Sequence, residues 1–120
     1  MTPKRFWARL RAEADYPLRR GAWYHVKKLG PREAAIDVVG ERVDIPRSYL
    51  DIMSSPPRRW SVVPRPKNVA RFPFPGVERY GVCPNCRERV PLNQHPVELR
   101  CTRCNEISDV AWEDQFLTEN

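Results

Sequence analysis

Short apolar runs punctuated by proline and glycine dominate the chain, and only the first segment shows helical spacing. Thr2 and Pro3 can open a helix, Thr2 as its cap and Pro3 in its first turn. Phe6, Trp7, Leu10 and Ala14 then recur on one side, with Arg5, Arg9 and Arg11 around the rest, so a short N-terminal helix is expected to end before Pro17. Its apolar stripe is expected to pack on the β-rich segment downstream. The alternative is a basic, aromatic arm over residues 1–20 that docks on RNA or on a partner. From 21 to 63 the pattern changes to β-prone runs: 22–29 (AWYHVKKL), 34–39 (AAIDVV), Val43 and Ile45 alternating with Asp44, and 60–63 (WSVV). Gly30-Pro31, Gly40-Glu41, Pro46 and Pro64 separate them. Short strands in this order predict a small, strongly bent antiparallel barrel over 21–63.

Residues 43–50, VDIPRSYL, resemble the strand, 3-10 turn and strand near the end of Src-homology-3-like barrels. The resemblance implies a barrel shape; the other signature residues of the signalling domain are missing, so proline-peptide binding is not carried over. Residues 64–79 then form a proline-rich linker. Pro64, Pro66, Pro73 and Pro75 imply an extended, semi-rigid connector. Phe72 and Phe74 alternate with the last two and are expected to pin it to a domain surface. At the C-terminal end, Trp112, Phe116 and Leu117 have the spacing of one short amphipathic turn in an acidic tail.

Composition narrows the function classes. Thirteen prolines in 120 residues is about double average usage, which excludes coiled coils and long helices. No apolar run approaches the roughly 20 residues of a membrane span, and the basic first segment lacks the apolar core of a secretory signal, so a cytoplasmic protein is expected. The net charge of +6 is unevenly spread. Residues 1–79 hold 17 Lys and Arg against 8 Asp and Glu, net +9, whereas residues 80–120 hold 4 against 7, net −3.

The most specific signal is Cys83, Cys86, Cys101 and Cys104, two C-x-x-C pairs with fourteen residues between them. Two short chelate loops of soft thiolates suit tetrahedral zinc, although the insert is at the short edge of the usual spacing. Two disulfides, disfavoured in a reducing compartment, or four ordinary thiols are the alternative. A four-thiolate site also suits iron. Residues 80–112, YGVCPNCRERVPL and then VELRCTRCNEISDVAW, resemble the zinc-ribbon family. The resemblance implies a knuckle at each C-x-x-C, with Val82 and Leu99 leading in and Asn85 and Arg103 inside. It implies that Val90, Leu92, Val97 and Leu99 build the strands and small core. The expected fold is therefore mainly β: a short N-terminal helix, a small barrel, and a zinc ribbon with its tail over 80–120.

Four thiolates close the metal's coordination sphere, so the zinc is expected to be structural, and no nucleophile signature or phosphate loop argues for an enzyme. His25 and His95 are expected to be solvated or packing residues. The acidic ribbon is a poor phosphate surface. If nucleic acid is bound, Arg19, Arg20, Lys27, Lys28, Arg58, Arg59, Arg65 and Lys67 are the candidate contacts. Trp23, Tyr24 and Trp60 could stack on bases beside them, but Trp23 and Trp60 are better read as core. A non-enzymatic zinc-ribbon module associated with RNA or DNA through its basic part is the first reading. A zinc-stabilised adaptor or subunit of a larger protein assembly is the second. Neither a membrane nor a small-molecule substrate is expected.

Overall fold

The computed structural model describes residues 5–11, 16–64, 74 and 76–115. The chain divides into two compact units, Met1–Pro57 and Arg58–Asn120, each built on one five-stranded sheet. Among the described residues no helix is long and apolar enough to cross a membrane.

The first unit contains β1 (Trp7–Leu10), β2 (Tyr24–Leu29), β3 (Glu33–Val38), β4 (Glu41–Pro46), a 3-10 turn (Arg47–Tyr49) and β5 (Leu50–Met53). Its strand order is β4-β3-β2-β1-β5, antiparallel throughout. Ala34 and Ile36 alternate inward on β3 and face Ile45 and Val43 of β4 in register, so the period-2 pattern builds the core. Ala8, Leu10, Ala22, Tyr24 and Leu50 complete it. The β3–β4 hairpin closes on Val39 (φ 50°) and Gly40 (φ 86°), both left-handed as a type I′ turn requires. The Gly40 amide donates to Asp37 Oδ1 at 2.9 Å.

The expected N-terminal helix is not formed: Trp7–Leu10 is a strand between β2 and β5, and the described residues contain no α-helix. Thr2, Pro3 and Ala14 lie outside the described residues. The decisive residue is Arg9, assigned to a solvent face by helical spacing but only 6% exposed. Its guanidinium pairs with Asp51 at 3.2 Å and lies 4.6 Å from the centroid of the Trp23 ring. A buried arginine needs such partners, and both come from elsewhere in the chain.

The second unit contains β6 (Arg59–Pro64), β7 (Arg79–Val82), β8 (Arg89–Pro91), β9 (Glu98–Arg100) and β10 (Ile107–Gln115), in the order β8-β7-β6-β10-β9. The strand expected over 60–63 thus forms, but as the centre of this sheet rather than as a fourth strand of the barrel. Trp60, Ser61, Val62 and Val63 are all buried, as a strand covered on both faces must be. β6 pairs antiparallel with β7 and parallel with β10, where Asp109 faces Arg59 and Val110 faces Trp60. Gly81 of β7 sits against the Trp60 ring. A Cβ there would come within 3.3 Å of Trp60 Cε3 and 3.5 Å of Leu92 Cδ1. The turn expected around Trp112 is also corrected: Trp112 belongs to strand β10, and Phe116 and Leu117 lie outside the described residues. Of the linker phenylalanines, Phe74 packs on Tyr80 with ring centroids 5.8 Å apart, the pinning contact expected of it.

Candidate metal centre

Each cysteine pair sits at the end of a hairpin, β7–β8 for Cys83 and Cys86 and β9–β10 for Cys101 and Cys104. The two turns are built alike. The Cys83 amide donates to the Glu88 carbonyl at 2.8 Å, and the Arg87 amide to the Cys83 carbonyl at 3.1 Å. The Cys101 amide donates to Glu106 at 2.8 Å, and the Asn105 amide to Cys101 at 2.9 Å. Arg87 (φ 68°) and Asn105 (φ 66°), each following the second cysteine of its pair, take the left-handed conformation that turns the chain back. The sequence signal for this equivalence is C-x-x-C-x-E, occurring at Cys83 and again at Cys101. The spacing of the cysteines alone did not draw attention to Arg87, Glu88, Asn105 and Glu106.

The turns bring all four sulfurs within 4.8 Å of one another. Cys83 Sγ lies 3.7 Å from Cys104 Sγ, and Cys86 Sγ lies 3.5 Å from Cys101 Sγ. A tetrahedral ion with metal–sulfur bonds of about 2.3 Å needs sulfurs about 3.8 Å apart, so the cluster fits a single metal with small adjustments. The thiols are unbridged. Cys83 and Cys101 are buried, whereas Cys86 and Cys104 are half-buried. Trp60, Val62, Leu92 and Val110 pack with Cys83 and Cys101 in one apolar cluster. Trp60 donates its indole N–H to the Leu99 carbonyl at 3.2 Å.

The surroundings treat the four thiols unequally. Burial pushes the Cys83 thiol up to about 12, against the backbone amides that favour its thiolate. Cys86 is also raised, chiefly by burial. Cys104 is lowered to about 7, first by the Asn85 side chain and then by the Glu106 backbone. The Asn85 amide donates to Cys83 Sγ at 3.4 Å. Four thiolates together in a half-buried cluster need a cation to balance them, and a divalent metal supplies that charge.

The sequence-predicted basic residues are divided between the two units. Arg19, Arg20, Lys27 and Lys28 belong to the first unit, and Arg58 and Arg59 to the second; Arg65 and Lys67 lie outside the described residues. Lys27 and Lys28 are exposed neighbours on β2. Arg59 forms an ion pair with Glu113 and is occupied within its own sheet. Trp60 is completely buried, so the core reading holds for it, whereas Trp23 is only half-buried, its ring lying 4.6 Å from the Arg9 guanidinium. Tyr24 is buried, its hydroxyl accepting the Arg19 amide at 2.9 Å. His25 leans on Trp7, with centroids 5.5 Å apart. His95 stacks on Trp112 at 3.6 Å and takes no part in the thiol cluster. Comparison with protein-family models, curated proteins and solved structures finds no match to this chain.

Proposed function

We propose that this chain is a non-enzymatic binding module, in which a zinc ion held by Cys83, Cys86, Cys101 and Cys104 folds the second unit and the basic first unit contacts nucleic acid. The observation that carries the metal half is the convergence of four sulfurs on two matching turns. Zinc is read from the resemblance of the two C-x-x-C turns to zinc ribbons, and metal analysis distinguishes it from iron, which a four-thiolate site also suits. The resemblance to zinc ribbons accounts for the two knuckles. The resemblance of 43–50 to Src-homology-3-like barrels is supported by the strand order β4-β3-β2-β1-β5 with the 3-10 turn before β5.

The nucleic-acid half rests on charge: the chain's excess of Lys and Arg lies outside the cysteine segment. A second reading, a zinc-stabilised adaptor within a protein assembly, draws on Val97 and Ile107, which are 78% and 51% exposed on the second unit. One experiment separates the two: purification at low salt with and without nuclease, followed by metal analysis and identification of what co-elutes. Zinc at one per chain and nucleic acid released by high salt support the first reading. A stoichiometric protein partner that survives nuclease replaces it with the second.

A further inference from the structure

Resting on the nucleic-acid reading, we propose that single-stranded nucleic acid docks in a cleft of about 490 Å³ on the outer face of β2, β3 and β4, where it holds one nucleotide unit at a time. The cleft is placed by register. Lys28, Ala35 and Asp44 stand opposite one another across the three strands. Ala35, only 3% exposed, is its floor, and its small side chain leaves room between longer neighbours. Arg42 lies two residues from Asp44 on the same face, with Nε 2.9 Å from Asp44 Oδ1. Arg32 and Glu33 complete the wall where the Gly30-Pro31 loop enters β3. Arg47 donates to the Gly30 carbonyl at 3.0 Å and so braces that loop from outside the cleft.

The distribution of charge selects the ligand. Arg42 and Asp44 satisfy each other. Lys28 and Arg32 are exposed, and among the described residues neither has an ion-pair partner. They offer two cations to phosphates. Glu33 stands beside them as an acceptor. A carboxylate repels a free anion, but it can accept a hydrogen bond from a ribose 2′-hydroxyl or from an exocyclic amino group. Cations for the backbone next to an acceptor for the sugar or base describe a nucleotide within a strand better than inorganic phosphate. Lys28 is among the residues the sequence singled out, whereas Arg32, Glu33 and Arg42 become relevant only through the register of β3 and β4.

The test is fluorescence anisotropy of the full zinc-loaded chain with labelled oligocytidine RNA and its DNA counterpart across a range of salt. The native chain is compared with Lys28→Ala/Arg32→Ala and with Glu33→Gln, all exposed positions whose folding is verified by circular dichroism. For single strands each lost phosphate contact lowers the salt slope by about 0.7, so the double variant is expected to lose about 1.4. Glu33→Gln is expected to narrow the preference for RNA over DNA. Native binding with a full slope that the double variant retains would overturn the cleft while leaving the basic surface as the nucleic-acid contact. No salt-dependent binding by the native chain would overturn both.

Discussion

Replacing Cys86 by serine removes one thiolate while changing volume very little, and Cys86 is only half-buried, so packing loss is a minor part of the effect. The loss of metal is the major part. Structural zinc sites contribute on the order of 10–16 kcal/mol; shared among four ligands, that is about 2.5–4 kcal/mol per thiolate. At about 1.4 kcal/mol per factor of ten, affinity should fall roughly 10²–10³-fold. Total domain stabilities are only about 5–15 kcal/mol, so the second unit should melt at markedly lower temperature. Two readouts test this: metal per chain under a graded chelator challenge, and tryptophan emission on heating. Trp60 is completely buried in the cluster that includes Cys83 and Cys101, so its emission reports that core. A Cys86→Ser chain that keeps its metal at chelator concentrations the native chain survives, and keeps its melting profile, refutes the four-thiolate site.

Two further outcomes can be measured on the separate units. Val39 is a β-branched residue in the left-handed region and is 86% exposed, so Val39→Asn relieves backbone strain of about 1–2 kcal/mol at no cost in burial. The first unit should gain about 1 kcal/mol, a rise of about 4–8 °C in its melting transition; an unchanged or lower transition counts against the type I′ turn. Glu113 is held below its ordinary value of 4.5, chiefly by the side-chain hydrogen bond from Arg59. A depressed carboxyl stabilises the folded chain above that ordinary value, and the contribution disappears as pH falls through the lower folded value. Arg59→Gln should therefore return the Glu113 titration, followed by NMR, towards 4.5, and an unmoved titration removes the pair.

What could be read in advance was what neighbouring residues encode. The paired cysteines announced a cluster able to hold a metal, the zinc-ribbon resemblance implied a turn at each pair, and the β-prone run 34–39 with the alternation of Val43 and Ile45 located β3 and β4. The failures were non-local. Phe6, Trp7 and Leu10 have helical spacing, but a strand as short as Trp7–Leu10 leaves too few positions for periodicity to decide. Its true environment is set by Asp51 and Trp23, which bury Arg9 from distant positions. Trp60–Val63 was recognisable as a strand, yet its assignment to the preceding hairpins followed the usual pairing of sequence neighbours. Its actual neighbours are β7 and the far downstream β10. The cleft of Lys28, Arg32 and Arg42 depends on strand register in the same way.

The two sheets would answer a mechanical load differently. In the first, the outermost strands in sequence, β1 and β5, are antiparallel, with Trp7 opposite Met53. The polypeptide enters and leaves at the same end of that ladder, so tension opens its hydrogen bonds one after another, like a zipper. In the second, β6 and β10 run parallel, and the polypeptide enters at one end and leaves at the other. Tension there loads the bonds of the ladder together, in shear, and a metal held by the four cysteines would fasten the flanking hairpins to each other. A motor that unfolds proteins by dragging on this chain would find Met1–Pro57 yielding at low force and Arg58–Asn120 acting as the brake.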